Sequence, residues 1–302
     1  MHAQAEPDKF TSIQRILTEW LQKSLEVEAS NLVQPAITIP LNRVKSGTQV
    51  KYVSAVALKQ ASCGDNALSL AQQMTQNLHQ TIQSEQSQPF VDYICRNSEI
   101  STAAPGWIYL ELSPVALAIW LQHGISSVLI LNQKPGFNNT LYEHKIDSRS
   151  SEIFMITYSH ARCCSLLRAA DGFSGNWRLA LVQPDQLGSI WQPAVWQPTE
   201  WQLISQCIDA ADTIDRLASS SVKPPNFEAL SKLASELSQG FQAFYAACPI
   251  GSLINSSMGK TLGKTLGWDS MLLHRRLGLV LLTQKLLHGL LEMLNLPAPE
   301  QL

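Results

Sequence analysis

The sequence predicts a mainly α-helical protein with a small α+β domain in its N-terminal part. Three observations carry that prediction. From Glu152 onward, apolar residues recur at steps of three and four, the period of one helix face. Before that point such stripes are mixed with short alternating segments, of which GWIYLELS (Gly106–Ser113) is the clearest. Of the 302 residues, 45% are hydrophobic and 15% charged, enough apolar material for about two domains at roughly 150 residues each.

In chain order, Ile13, Ile16, Leu17, Trp20, Leu21 and Leu25 mark an amphipathic surface helix within residues 1–35. PAITIP (Pro35–Pro40) reads as a short strand between two prolines. Val53, Val56, Ala57 and Leu58 begin a helix that Gly64-Asp65 breaks; Leu68, Leu70, Ala71, Met74 and Leu78 carry the next. FVDYICRN (Phe90–Asn97) and GWIYLELS read as strands, the second with Trp107, Tyr109 and Glu111 on one side. A first domain therefore covers residues 1–125. Residues 126–150 are polar, contain Pro135-Gly136 and Asn138-Asn139, and read as a linker with at most one short strand, VLIL. Residues 151–302 read as a helical bundle built on three stripes. The first is Ile153, Ile156, His160, Cys163 and Leu167; the second runs from Leu230 through Leu233, Leu237, Phe241 and Phe244 to Cys248; the third contains Leu273, Leu277 and Val280. The Trp- and Gln-rich stretch 176–200 is an excursion between helices whose role is not readable.

The formal net charge is −2, with 11 basic and 12 acidic residues on each side of residue 150, so any face for a polyanion has to be local. MHAQAEPDKF has no basic region followed by an apolar stretch, and Leu272–Leu296 is interrupted by Arg275, Arg276, Gln284, Lys285 and His288. A soluble, cytoplasmic protein with no membrane partner is expected. The six cysteines form no CxxC pair, so reduced thiols and no zinc site are expected.

YSHARCCSLLR (Tyr158–Arg168) places a histidine three and four residues before adjacent cysteines, as a Cys/His catalytic pair would. His160, Cys163 and Cys164 share the side of Ile153, Ile156 and Leu167, however. That is the core side, where free cysteine behaves as a small hydrophobe. A working thiolate needs an exposed, electropositive setting. The opposite side carries Tyr158, Arg162 and Ser165, with Arg168 at its edge, and is the informative one. MGKTLGKTLG (Met258–Gly267) contains GKT twice, but Ile254 and Met258 stand where GxxxxGK[ST] requires its first glycine, so it reads as a flexible basic loop. Lys260, Lys264, Arg275, Arg276 and Lys285 face only Asp269 in residues 251–290, a local balance of +4. Such a patch fits phosphate contacts and equally a solvated surface. No paired carboxylates, GxSxG, HExxH or GxGxxG stand in a suitable context, and no cofactor or metal is expected.

Three stretches resemble successive signatures of arginyl-tRNA synthetase: YSHARCCSLLRAA (Tyr158–Ala170), FQAFYAACPI (Phe241–Ile250) and RRLGLVLLTQKLLHGLLEMLNLPAPEQL (Arg275–Leu302). They follow the order and about the spacing of that family's C-terminal anticodon-binding helical bundle, the DALR domain. YVSAVALKQA (Tyr52–Ala61) and AAPGWIYLELS (Ala103–Ser113) are similar to the family's Y-x-S-x-x-A-L helix start and its G-P-G-aromatic-I-N-aromatic strand. Both belong to its additional N-terminal domain, which touches the tRNA corner. The resemblance implies such a domain over 1–125 and a DALR-type bundle over 151–302.

In the family a class I catalytic domain with HxGH and KMSK-like motifs lies between these two. Here about 25 residues separate the matches, fewer than the roughly 30 of a single βαβ unit. His123-Gly124 is followed by Ile125 rather than a second histidine, and no KMSK occurs. The resemblance therefore implies a non-catalytic tRNA-binding protein, with an arginine tRNA as the first expected partner, and no aminoacylation by this chain alone. On the D-loop side Trp107 stands at the family's stacking aromatic, while Tyr109 replaces the asparagine and loses its donor–acceptor pair. On the anticodon side Tyr158 and Arg162 would lie along the stem-loop, with Arg168, Lys260, Lys264, Arg275 and Arg276 adding charge. Phe241, Phe244 and Tyr245 match mainly core positions, and Leu302 takes the place of the family's terminal methionine. Two rival readings stay open: a module for a protein partner or a second copy of the chain, and an accessory subunit of a separate catalytic chain.

Overall fold

A computed structural model describes residues 10–29, 39–45, 47, 49–61, 66–84, 89–127, 150–173, 196–219, 226–257 and 268–301. They fall into two compact units, one within Thr11–Trp120 and one within Leu121–Leu302, the second including Phe10. The described residues are mainly helical with a small antiparallel sheet, as the periodicities predict.

In the first unit, alternation along two neighbouring strands decides the architecture. The strands are β1 (Leu41–Val44), β2 (Val50–Ser54), β3 (Ser98–Ala103) and β4 (Trp107–Leu112), ordered β1-β2-β4-β3 and antiparallel throughout. Val50, Tyr52 and Ser54 pair with Leu112, Leu110 and Ile108, and all six are buried, giving the sheet its inner face. Trp107, Tyr109 and Glu111 alternate onto the other face and are half-buried. The helices are α1 (Ile13–Ala29), α2 (Val56–Gln60), α3 (Ala67–Ser84) and α4 (Pro89–Arg96). The stripe of α1 from Ile13 to Leu25 is buried; α1 lies on α3, which in turn meets β3 and β4. α5 (Pro114–Ser126) spans the division between the units.

Two expectations are corrected here. FVDYICRN is helix rather than strand, because Phe90 and Ile94 are one turn apart and Ile94 and Cys95 turn inward together while Tyr93 is exposed. The helix expected from Val53 starts at Val56: Val53 belongs to β2, and Ser54 Oγ accepts from Val56 N at 3.2 Å where the strand ends. Most of PAITIP, residues 35–38, lies outside the described residues, as do VLIL, the rest of the 128–149 stretch and most of 176–200; a strand follows at Leu41–Val44.

The β3–β4 connection holds its own prediction. Gly106 N bonds Ala103 O at 2.9 Å to close the turn, and a Cβ at position 106 would lie 2.9 Å from both Cβ and O of Ala67. Backbone cannot yield as a side-chain tip can, so Gly106→Ala is expected to destabilise the chain by about 1–3 kcal/mol. A urea midpoint equal to wild type would refute the clash.

The second unit is a bundle of α6 (Ser150–Phe173), α7 (Pro198–Ser219), α8 (Phe227–Ala247), α9 (Ile250–Ser257) and α10 (Trp268–Met293). α10 packs on the other four. Every residue from Leu273 to Thr283 is buried, so this helix is the core rather than a face of it. Asn226 caps α8, its Oδ1 accepting from Glu228 N at 3.1 Å, and Leu230, Leu237, Phe241 and Phe244 turn inward from there. Among the described residues no helix is long and apolar enough to cross a membrane.

Candidate nucleic-acid interface

The buried stripe of α6 fixes what its other side presents. With Ile156, Cys163 and Leu167 inside, Phe154 (57% exposed), Met155 and Tyr158 (36%) are left facing out. Phe154, Tyr158 and Arg162 stand four residues apart and so line up along one face. The Phe154 and Tyr158 rings are 6.1 Å apart and inclined by 27°. The next turn ends this ridge in a fixed cation. Arg162 Nη2 donates to the Tyr245 hydroxyl, and its guanidinium carbon lies 4.8 Å from the centroid of the same ring. Tyr245 rests on buried Phe241, with ring centroids 6.2 Å apart. A second stitch from α8 to α6 is Gln242 Nε2 to Ser159 Oγ, 3.0 Å.

Spacing alone assigns Tyr245 to the core, with Phe241 and Phe244. It is half-buried instead, and it is what orients Arg162. Phe154 and Met155 are not singled out by the sequence either. The available signal is the four-residue step back from Tyr158, off the buried stripe. Arg168 stays exposed but is engaged, its Nη2 3.3 Å from Ser165 Oγ and 2.9 Å from Glu300 O.

The Cys/His lure resolves as packing. Burial pushes the Cys163 thiol well above its usual range and raises Cys164 as well, so both stay protonated at neutral pH. His160 Nδ1 faces Pro299 O at 2.9 Å, and Cys164 Sγ is 3.9 Å from that nitrogen. Among the described residues no group of three or more His, Cys, Asp or Glu is placed to hold a metal.

Among the described residues, the basic side chains of 251–290 do not form a surface patch. Arg275 and Arg276 are buried, 5% and 3% exposed, in the part of α10 that is buried on every side. Both reach one carboxylate, that of fully buried Glu200 in the first turn of α7: Arg275 Nη2 to Oε2 at 2.8 Å and Arg276 Nε to Oε1 at 3.0 Å. Their burial corrects the expectation that they contact RNA. Lys285 is also engaged, donating to the carbonyls of Gly124, Ile125 and Ser127. Lys260, Lys264 and Leu302 lie outside the described residues.

In the first unit, Trp107 and Tyr109 share the sheet face away from the core. Lys51 Nζ lies 4.8 Å over the Tyr109 ring and 3.5 Å from Glu111 Oε2, so this ring already has a cation on one side.

An aromatic ridge that ends in a positioned guanidinium, on a rigid helical bundle, has the chemistry of a surface for unpaired nucleotides: rings stack on bases and the cation meets phosphate. The bundle is of a recognised type. Residues 156–302 match the DALR anticodon binding domain, which is typical of arginyl-tRNA synthetase and related class I synthetases. A comparison with curated proteins matched nothing, and neither did one with solved structures.

Proposed function

We propose that this chain is a non-catalytic tRNA-binding protein that holds an anticodon stem-loop on the outer face of α6, with an arginine tRNA as its expected cognate. The observation that carries this is the DALR match over 156–302, whose α6 keeps Tyr158 exposed and Arg162 oriented on Tyr245. Trp107 and Tyr109 are proposed to meet the tRNA corner by stacking. The non-catalytic reading is supported by the lack of HxGH and KMSK motifs in the sequence. At a net charge of −2 long-range attraction is weak, so affinity is moderate, salt-sensitive and dependent on few contacts.

A gel shift with total tRNA at low salt tests this. Arg162→Ala is expected to weaken binding about tenfold, about 1.4 kcal/mol, and to lower the salt slope by about 1. Arg162→Lys keeps the charge but not the planar fork, and is expected to fall between the two. No shift with any cellular tRNA would refute the proposal.

A second reading rests on the exposure of Phe154 and Met155 beside Tyr158, an apolar step that also suits a protein surface. Recovery of one stoichiometric protein without RNA would favour that reading. Aminoacylation appearing only on mixing with a second chain would make the protein an accessory subunit.

A further inference from the structure

Across α6 from the aromatic ridge lies an arrangement that tRNA binding does not use. After α10 the chain reverses: Asn295 adopts φ 55° and Leu296 N bonds Leu291 O at 2.9 Å, a left-handed helix cap. The following segment is held to α6 at two consecutive carbonyls, Pro299 O by His160 Nδ1 (2.9 Å) and Glu300 O by Arg168 Nη2 (2.9 Å). A carbonyl only accepts, so Nδ1 carries the ring hydrogen. Nε2 is then the acceptor, 3.0 Å from the Gln284 amide nitrogen on α10. One neutral imidazole, 1% exposed, thus joins α6, α10 and the tail. The titratable and charged groups around it are His288 on α10, with ring centroids 5.6 Å apart, Cys164 and Arg168 on α6, and Glu300 on the tail.

We propose that Leu294–Gln301 is a proton-gated latch: the neutral His160 ring clamps it against α6 and α10, and a proton taken up by that ring loosens it. Protonation would put a hydrogen on Nε2, facing those of the Gln284 amide, and a cation beside His288 in a buried site. Burial, with a further push from His288, holds His160 below the usual 6.5 against the opposite pull of the Pro299 carbonyl and Glu300. The closed latch therefore binds fewer protons than the open one. Closure is favoured above 6.5 and lost as pH falls below it toward the depressed value.

Carboxypeptidase trimming of the full chain tests the latch, with the rate divided at each pH by that of a free peptide of the same C-terminal sequence. Between about pH 7.5 and about pH 5.5 the ratio is expected to rise several-fold, the direction that the lowered His160 value sets. His160→Asn keeps an N–H near the Nδ1 position but cannot be protonated, and is expected to stay flat at the wild-type neutral rate. His288→Asn is expected to keep the rise. A flat wild-type profile, or a rise that survives in His160→Asn, overturns the latch. If His160→Asn is trimmed quickly at both pH values, the ring nitrogen shifts of the wild type decide. Loosening at the His160 midpoint supports the latch, and loosening at the His288 midpoint overturns it.

Discussion

Glu200→Gln is expected to destabilise the bundle by about 3–5 kcal/mol, the largest single effect on this chain. The carboxylate is fully buried, it is shared by Arg275 and Arg276, and its Oε2 also accepts from Gln197 N at 3.0 Å at the start of α7. Glutamine keeps the size and one acceptor but removes the charge that both guanidinium groups were placed to meet. Desolvating an ion is costly, and its partner in the folded state offsets that cost, so losing one partner costs far more than losing the whole cluster. Replacing all three with methionine is accordingly expected to cost less than Glu200→Gln alone. Urea denaturation followed by far-ultraviolet circular dichroism measures both. A Glu200→Gln midpoint within about 1 kcal/mol of wild type would show that the cluster contributes little. The same geometry predicts how Arg275→Ala would lose tRNA binding: through unfolding visible in the dichroism spectrum, with no folded protein of weaker affinity.

This buried cluster also shows where reading the sequence stops. The stripes of α6 and α8 are legible because each helix is buried on one side only, so spacing alone separates inside from outside. Tyr158 and Arg162 are found that way, as residues off the stripe. Arg275 and Arg276 are misplaced because a charge count over a window assumes that arginine faces water. The warning is local, in the leucines that surround them on every face of α10. The partner is not local: Glu200 lies 75 residues away, at the end of a stretch with no readable pattern. Tyr245 escapes for the same reason, since its tie to Arg162 spans 83 residues and its own spacing matches a core stripe. FVDYICRN fails differently. Eight residues rich in aromatic and β-branched types fit a strand by composition, and so short a run cannot separate period two from period 3.6. In the first domain, the alternation of GWIYLELS identifies β4, while its partner β2 goes unread because Val53 is absorbed into a helix start.

Lys285→Met is expected to lower stability by about 2–4 kcal/mol while leaving the salt dependence of tRNA binding unchanged. The ammonium lies 2.7 Å from Ser127 O and 3.3 Å from Gly124 O and also donates to Ile125 O, so it meets the carbonyls that the end of α5 leaves without helical partners. The positive charge also faces the negative end of the helix dipole. Methionine keeps an unbranched apolar stem in a small cavity lined by Leu282 and Phe10, beside the close approach at Gly124, where a Cβ would stand 3.0 Å from each of them. The substitution therefore isolates the charge and its hydrogen bonds from the packing. A loss below about 1 kcal/mol in urea would mean that water replaces the lysine at little cost. The binding measurement separates the two possible uses of this charge. Each phosphate contact contributes about 1 to the salt slope, so Arg162→Ala lowers it and Lys285→Met does not. A Lys285→Met protein as stable as wild type but with a shallower slope would place this lysine on RNA instead of on the end of α5.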